Sequence, residues 1–262
     1  MSLKKIDKSI KPIVDKFNEV LRKDWVPGIN DKSFGNVGLT FERELGKRPD
    51  TTFFPDYYGI EVKCTTINSR YPVYLFSAAF DGPTYPEIDR IIDKYGTYDY
   101  FYKNKKVLYT KVSFTEKTLV NNKWYFQFSK EKDKIFLNVY DLDKNLIEKK
   151  SFIYIKTLYN HLMIKLKKLA MVYALQKKID GKNYYKYYKI DIYEMKEFGK
   201  FMYLLENGYI TASLVSRIGR SGNDAGRYRN KNLAFAIEKD KLYYLFDRSY
   251  YYNSRTGKEI IN

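Results

Sequence analysis

Apolar residues recur every three or four positions in several stretches of the chain, and this spacing predicts amphipathic helices. In two of these stretches a glycine follows the last apolar position, Gly46 in one and Gly96 in the other, and marks the end of the helix. The predicted helices cover residues 3–23, 36–45, 87–95, 156–168 and 197–206.

Between these helices the chain is rich in β-branched and aromatic residues, a composition typical of strands. The predicted strands cover residues 57–66, 107–114, 123–129, 134–140, 171–173, 184–193, 209–217, 232–238 and 241–246. Helices and strands interleave, which indicates an α/β fold with a mixed central β-sheet flanked by helices. We expect two lobes, residues 1–115 and 116–262, although no linker marks the boundary between them.

The chain carries far more basic than acidic side chains. Its 262 residues include 48 Lys and Arg against 31 Asp and Glu, which gives a formal net charge of +17. Such a charge is typical of proteins that bind a polyanion, most often nucleic acid. An AT-rich genome would also raise the lysine content, so the charge by itself does not establish the partner.

Cysteine and histidine are nearly absent from the chain. Cys64 and His161 are the only residues of their types, which excludes a disulfide framework and a thiolate-cluster metal site. A zinc site rich in histidine or a Ser-His-Asp triad is equally disfavoured, so the chemistry must depend on carboxylates and lysines. No apolar run resembles a signal peptide or reaches the length of a membrane span, and we expect a cytoplasmic protein.

Chemically active side chains cluster in the sequence PDYYGIEVK, residues 55–63. On a strand, Glu61 and Lys63 point to one face, while the apolar residues beside them point to the opposite face and into a core. Asp56 lies in the preceding turn. Two carboxylates can bind Mg²⁺, and a neighbouring lysine can orient a water molecule or stabilise charge on a phosphate. The alternative is a half-exposed strand on which Glu61 and Lys63 are solvated or paired across the sheet.

Two of the acidic positions have alternatives. The predicted helix over residues 36–45 carries both Glu42 and Glu44, and helix phase alone does not choose between them. Asp50 follows a proline, as Asp56 does, but Asp56 directly precedes the strand and is preferred for that reason.

These segments resemble the MutH-related PD-(D/E)xK nucleases, and most closely the MvaI/BcnI group of type II restriction enzymes. The likeness rests on GLTFERELG (residues 38–46), Pro55-Asp56 and GIEVK (residues 59–63), and continues more weakly over most of the chain. The resemblance selects Glu42 as the helix carboxylate of the site and makes it a catalytic residue together with Asp56, Glu61 and Lys63. It implies that Asp56 and Glu61 bind Mg²⁺ and that Lys63 is the catalytic lysine.

The resemblance also implies an activity and its partners. The expected activity is that of a type II restriction endonuclease, which hydrolyses double-stranded DNA at a short specific sequence with Mg²⁺. The nuclease core would lie in residues 1–115 and the DNA-recognition lobe in residues 116–262, around a DNA cleft. A cognate DNA methyltransferase is implied genetically, and a monomer is expected. Two other hypotheses stay open, a MutH-like mismatch-repair enzyme that nicks one strand and a non-catalytic DNA-binding module.

A second candidate site is the segment from Arg217 to Lys231, named here the basic hairpin. It contains five basic residues against one acidic residue, Asp224, and lies between two predicted strands. Arginine can donate two hydrogen bonds to guanine, so the segment is a candidate for DNA contact, although arginines that touch only phosphate carry no sequence information. The candidate DNA-binding residues are Arg217, Arg220, Arg227, Arg229 and Lys231.

Three further observations complete the sequence-based expectations. The MvaI/BcnI group has histidines near the basic hairpin, whereas this chain has Arg, Tyr, Arg and Asn over residues 227–230, so the target sequence does not carry over. Lys111, on a predicted strand, is a less favoured candidate for a second active-site lysine. His161 lies within a predicted helix beside Leu162, where we expect a structural role.

Overall fold

The computed structural model describes residues 6–31, 33, 35–47, 54–222 and 225–262. Its helices are α1 (Lys11–Arg22), α2 (Asn36–Glu44), α3 (Glu87–Tyr95), α4 (Ile155–Lys165), α5 (Phe198–Glu206) and α6 (Leu242–Leu245). Its strands are β1 (Val26–Pro27), β2 (Glu61–Thr66), β3 (Val73–Ala78), β4 (Thr97–Tyr98), β5 (Lys106–Val107), β6 (Tyr109–Val112), β7 (Thr118–Val120), β8 (Trp124–Glu131), β9 (Lys134–Tyr140), β10 (Leu146–Tyr154), β11 (Lys168–Ile179), β12 (Lys182–Met195), β13 (Ile210–Ile218), β14 (Tyr228–Ile237), β15 (Phe246–Asn253) and β16 (Lys258–Ile261). Among the residues that the structure describes, no helix is long and apolar enough to cross a membrane.

The chain divides into two units, and each is assembled from separate segments of sequence. The first unit contains Met1–Tyr71, Met163–Lys196 and Tyr243–Asn262, and the second contains Pro72–Leu162 and Glu197–Leu242. The expected boundary between residues 115 and 116 falls inside the second unit. The order of elements along the chain hides this division, because the strands that pair in one sheet come from segments far apart in sequence.

The first unit is organised around one sheet with the strand order β16-β15-β12-β11-β2, and β1 pairs with β12. Strands β2 and β11 run parallel, with Glu61 opposite Leu169, while the other neighbours run antiparallel. The predicted mixed α/β fold is therefore confirmed. Because β2 stands at the end of the strand order, it has β11 as its single hydrogen-bonded neighbour within the described sheet.

The core of the first unit forms where the apolar stripes of α1 and α2 meet residues of this sheet. Phe17 of α1 and Phe41 of α2 are completely buried, as are Val172 and Ile190 of the sheet. Burying a side chain of this size stabilises the fold by about 2 kcal/mol. This core fixes α2 in the unit that carries β2.

The second unit contains two antiparallel sheets, with strand orders β10-β9-β8-β7 and β3-β14-β13-β6, and the small hairpin β4-β5. Aromatic rings join α5 to the second of these sheets. The ring centroid of Phe76 lies 4.9 Å from that of Phe235 and 5.7 Å from that of Phe201. All three side chains are buried.

The strand predicted over residues 241–246 is wrong. A 3-10 turn at Lys239–Lys241 leads into α6, and β15 begins only at Phe246. Leu242 and Leu245 are buried while the two tyrosines between them are exposed. This spacing of three is helical, whereas a strand would bury alternate residues.

Candidate active site

The candidate site is built on β2 and on the turn that precedes it. The turn over residues 57–60 is closed by two backbone hydrogen bonds of 3.0 and 2.9 Å. Tyr58 and Gly59 have φ angles of 47° and 78°, in the left-handed region that glycine adopts readily. The turn brings Asp56 beside β2, where its Oδ2 accepts a hydrogen bond of 3.0 Å from the backbone N–H of Val62.

Glu61 is almost completely buried, with 1% of its surface exposed. Lys63 Nζ donates a hydrogen bond of 2.6 Å to Glu61 Oε1, and Lys165 Nζ lies 3.6 Å from the same oxygen. Within the described residues, Glu61 Oε2 is buried without a hydrogen-bond partner. A buried polar atom without a partner is costly, so this oxygen is the strongest sign that the site binds something from outside the chain.

The protonation of Glu61 reflects this environment. Burial raises the pKa of Glu61 above its ordinary value, and the negative charge of Asp56 raises it further. Lys63 and Lys165 oppose this shift, because positive charges favour the ionised carboxylate. The two lysines therefore offset part of the increase in the pKa of Glu61 that burial and Asp56 cause.

Asp56 is held by contacts to both of its oxygens. Lys47 Nζ donates a hydrogen bond of 2.5 Å to Oδ1, and the backbone of Val62 donates to Oδ2. The side chains of Lys47 and Asp56 are only 15% and 14% exposed. The orientation of the Asp56 carboxylate is therefore fixed by the folded chain.

Helix α2 brings Glu42 to the same cavity. Phe41, next to it, is completely buried with its ring centroid 4.9 Å from that of Tyr187. The hydroxyl of Tyr187 donates a hydrogen bond of 2.7 Å to the carbonyl oxygen of Val37. These contacts dock α2 onto the sheet, and Glu42 then lines the cavity beside β2.

The alternative acids take other places. Glu44 forms ion pairs with Lys23 at 2.6 Å and with Arg43 at 2.8 Å, and it is not among the residues that line the cavity. Asp50 lies outside the described residues. The position of Glu42 agrees with the choice that the family resemblance makes between the two glutamates.

One cavity of about 460 Å³ unites the predicted catalytic residues. Its lining includes Glu42, Asp56, Glu61, Lys63, Lys47 and Lys165. In the described part of the chain, no three His, Cys, Asp or Glu side chains are grouped closely enough to hold one metal ion. The cavity is thus a site of carboxylates compensated by lysines, with the three acids on its wall rather than at one point.

Two lysines of this cavity were not predicted. Lys165 is the last residue of α4 and reaches Glu61 because β11, which starts three residues later, pairs with β2. Lys111, the candidate for a second lysine, lies on β6 in the second unit. His161 stacks on Phe76 with ring centroids 5.7 Å apart, in keeping with a structural role.

The five candidate DNA-binding residues fall into two groups. Arg217, Arg227 and Arg229 are exposed. Arg220 is bound to Asp99 by two hydrogen bonds of 2.5 and 2.6 Å, and Lys231 Nζ donates a hydrogen bond of 2.7 Å to Asp89 Oδ1. Two of the five therefore already have acidic partners in the folded chain.

Asp56 lies beside the turn that precedes an edge strand, and Glu61 and Lys63 lie on that strand, which is the arrangement that the sequence resemblance implies. The model of the MvaI/BcnI restriction endonuclease family matches residues 14–246. The chain belongs to this family and is a type II restriction endonuclease that acts on DNA.

Solved structures support the same fold. The chain is similar to the restriction endonuclease MvaI in a complex with its cognate DNA substrate, with a TM-score of 0.85 and 23% identity over 93% of this chain and 98% of that one. It is also similar to MvaI in the absence of DNA, with a TM-score of 0.56 and 21% identity over 94% and 98% of the two chains. No curated protein sequence matches the chain.

Proposed function

We propose that this restriction endonuclease requires Mg²⁺ and hydrolyses both strands of duplex DNA at a short specific sequence, with Asp56, Glu61 and Lys63 as its catalytic residues and Glu42 as an accessory carboxylate. The observation that carries the proposal is the buried Glu61 carboxylate, which binds Lys63 through one oxygen and leaves the other without a partner among the described residues. A buried polar atom of this kind is normally completed by a ligand, an ion or an ordered water molecule.

The residues of the cavity fit a hard divalent cation. Asp56 and Glu61 would hold Mg²⁺ through carboxylate oxygens, the ligands that this ion prefers, and Glu61 Oε2 has no hydrogen-bond partner among the described residues. When bound, the ion would lower the pKa of a coordinated water molecule and neutralise charge on the phosphate. It would also reduce the repulsion between the two carboxylates.

Lys63 would act on the phosphate and on the attacking water. Its ammonium group lies 2.6 Å from Glu61 Oε1, which fixes its position in the cavity. From there it can donate a hydrogen bond to a phosphate oxygen and stabilise the negative charge that develops in the transition state. Water adds to phosphorus, the bond to the 3′ oxygen breaks, and that oxygen takes up a proton, which leaves a 5′-phosphate end.

Lys165 and Lys47 would position the acids. Lys165 lies 3.6 Å from Glu61 Oε1, and Lys47 lies 2.5 Å from Asp56 Oδ1. Each can orient its neighbouring carboxylate before substrate arrives, because the ion pair fixes the position of one carboxylate oxygen. We assign them no contact with the reacting atoms.

The proposal includes the partners of the enzyme. Double-stranded DNA is the substrate, supported by family membership and by the structural likeness to MvaI bound to its cognate DNA. A restriction endonuclease must spare the DNA of its own cell, so a cognate methyltransferase is implied. We place the enzyme in the cytoplasm, where this DNA lies, and expect it to act as a monomer.

The test is cleavage of a supercoiled plasmid in the presence of Mg²⁺ by wild type, Lys63→Ala and a matched control. We expect linear product from wild type and a rate lower by about 10²–10⁴-fold for Lys63→Ala, the range for loss of a catalytic acid, base or charge stabiliser. Lys178→Ala is the control, because Lys178 is an exposed lysine in the same unit. It should cleave like wild type.

Three other outcomes would change the conclusion. A product that remains nicked throughout the reaction would favour a strand-nicking enzyme like MutH over a double-strand endonuclease. Equal cleavage by Lys63→Ala and wild type would refute the catalytic assignment. If wild type cleaves no DNA with Mg²⁺, the proposed metal requirement and activity fail together. Sequencing the fragment ends of a digest would identify the recognition site.

A further inference from the structure

The basic hairpin of the second unit is attached to a neighbouring loop that carries exposed aromatic rings. This loop, residues 98–105, is named here the aromatic loop. Arg220 of the basic hairpin donates two hydrogen bonds, of 2.5 and 2.6 Å, to the two carboxylate oxygens of Asp99 in the aromatic loop. A two-pronged pair of this kind fixes orientation as well as distance.

Asp99 also organises the aromatic loop from within. It is 4% exposed, and its Oδ1 accepts backbone hydrogen bonds from Phe101 at 3.0 Å and from Tyr102 at 2.8 Å. The Arg220 guanidinium lies 4.7 Å from the ring centroid of Phe101. The hydrogen bonds to Arg220 hold the pKa of Asp99 well below its usual range. The carboxylate therefore stays ionised throughout the working pH range.

A second set of contacts joins the two segments beyond the ion pair. Lys105 Nζ donates a hydrogen bond to the carbonyl oxygen of Gly226, and the hydroxyl of Tyr228 donates one of 3.0 Å to the carbonyl oxygen of Lys106. The ring of Tyr102 lies so close to Gly226 that an added Cβ would stand 3.3 Å from it. Gly226 has φ 74°, so a side chain there would also strain the backbone.

The joined segments expose aromatic and basic groups together. Tyr100 is 82% exposed and Phe101 is 70% exposed, although both are large apolar residues. Arg217 and Arg227 are exposed on the basic hairpin, and the guanidinium of Arg217 lies 5.3 Å from the ring centroid of Tyr109, which is itself 62% exposed. The rings of Tyr100 and Phe101 are in contact, with centroids 5.1 Å apart, and contiguous exposed apolar groups mark binding sites where single ones do not.

We infer that the aromatic loop and the basic hairpin form one preassembled surface for duplex DNA, in which Arg220 is a positioning residue that binds Asp99 rather than a residue that reads bases. Arg217, Arg227 and Arg229 contact phosphates or base edges, and Tyr100 and Phe101 pack against sugars and base edges in a groove. This inference rests on the proposed function, because it takes DNA as the substrate.

Charge and ring chemistry favour DNA as the occupant of this surface. Exposed arginines on a chain with net charge +17 attract a polyanion. Apolar and aromatic side chains beside such cations are the groups that DNA-binding proteins pack against base steps. Preassembly also lowers the ordering cost of binding, because the loop does not have to fold on contact.

The direction in which one substitution changes the affinity for DNA distinguishes a positioning role of Arg220 from direct base reading. Asp99→Asn removes a negative charge and releases Arg220. If Arg220 reads bases, affinity for DNA should rise, because the arginine is freed and electrostatic repulsion falls. If Arg220 positions the aromatic loop, affinity should fall by about tenfold, equivalent to about 1.4 kcal/mol. Affinity that is unchanged or higher would overturn the inference.

The measurement is fluorescence anisotropy with a duplex that contains the cleavage site mapped from the wild-type digest, in the Lys63→Ala background so that the duplex stays intact. Asp93→Asn is the matched control, because Asp93 is an exposed acid in the same unit. It removes the same charge and should leave affinity unchanged or slightly higher. Cleavage by each variant in an otherwise wild-type chain is measured in parallel.

An exchange of the two partners tests the pair itself. The double variant Asp99→Arg with Arg220→Asp can re-form the ion pair in reverse. We expect it to bind DNA more tightly than either single variant, whereas loss of a base-reading arginine would not be rescued by the exchange. A double variant no better than Arg220→Asp alone would overturn the positioning role.

The aromatic side chains give a test that does not depend on the stability of the pair. Tyr100→Ser and Phe101→Ser alter exposed positions, so both variants should fold, and each should bind the duplex several-fold more weakly. Tyr203→Ser is the control, because Tyr203 is 59% exposed on α5 of the same unit. Wild-type affinity in both loop variants would refute this surface while leaving the proposed function intact. Failure of wild type to cleave or bind any duplex would refute the proposed function itself.

Discussion

The Glu61 carboxylate is almost completely buried, and its pKa is raised mainly by that burial. The ionised form is therefore less favourable in the folded protein than in the unfolded chain. Stability that is present below the ordinary pKa is lost as the pH rises through the higher folded-state pKa. The buried Glu61 carboxylate therefore lowers the stability of the folded protein once the pH exceeds its folded-state pKa.

Glu61→Gln should remove this pH-dependent loss of stability. The melting temperature of the variant minus that of wild type, measured without metal, should increase as the pH is raised from 4 to 8, because only wild type acquires the buried charge. Glu194→Gln is the control, since Glu194 is exposed in the same unit. A difference that stays constant with pH would contradict the assigned shift.

Added Mg²⁺ should make wild type more stable to unfolding than Glu61→Gln. Wild type should gain about 2.7 kcal/mol of unfolding free energy at an Mg²⁺ concentration one hundred times the Kd. Glu61→Gln lacks one of the two proposed ligands and should gain much less. Calorimetry with and without Mg²⁺ measures the effect, and an equal gain in both proteins would remove Glu61 from the proposed metal site.

The residues of the candidate site could be proposed from sequence to the extent that they lie close together in the chain. Strand alternation places Glu61 and Lys63 on one face, and the hydrogen bond between them agrees with that expectation. Lys165 could not be found in this way, because it reaches Glu61 only through the pairing of two distant strands.

Elements with an intact apolar pattern and a clear end were predicted well. Helix α3 begins and ends at the predicted residues, and α2 ends one residue before its predicted end, because Gly46 and Gly96 mark where these helices stop. Strand β10 was missed because charged residues interrupt its pattern. Glu148 is the third residue of β10, and its side chain is only 7% exposed because it forms ion pairs with Arg90 and Lys94, which sequence does not reveal.

Replacing two glycines of the second unit by alanine should change stability in opposite directions. A Cβ on Gly96 would stand 2.4 Å from the carbonyl oxygen of Ile92 and 2.9 Å from that of Val107, and backbone atoms have little freedom to move away. Gly96→Ala should therefore cost about 1–3 kcal/mol of stability, as overpacking does. Gly199 meets nothing within 4 Å in α5, so Gly199→Ala should add about 0.5–1 kcal/mol.

Urea unfolding of the two alanine variants measures this contrast. Gly96 ends α3 immediately before the β4-β5 hairpin that carries the aromatic loop, so Gly96→Ala should also weaken DNA binding. Gly199→Ala should leave DNA binding unchanged. Equal stability of the two variants would contradict the prediction. It would mean that the backbone around Gly96 can shift to accommodate a Cβ at little cost.

The charge of the whole molecule makes a prediction that depends on no single side chain. With a formal charge of +17, binding of duplex DNA should release counterions, and the logarithm of the binding constant should fall by about 0.9 per contacted phosphate for each tenfold rise in salt. Anisotropy of Lys63→Ala with duplex DNA at several salt concentrations measures the slope. A flat response would mean that the excess basic charge reflects composition and not contact with phosphates.

The parallel pairing of β2 with β11 determines how late in translation the active-site cavity can be completed. Glu61 and Lys63 leave the ribosome roughly one hundred residues before Leu169 and Met171, the residues opposite them, which at 5–20 residues per second is a delay of about 5–20 s. Until then β2 has no neighbouring strand and Lys165 is missing from the cavity. A nascent chain therefore lacks the strand that pairs with β2, and the lysine that contacts Glu61 from α4, for most of its translation, so the cavity is completed only late in synthesis.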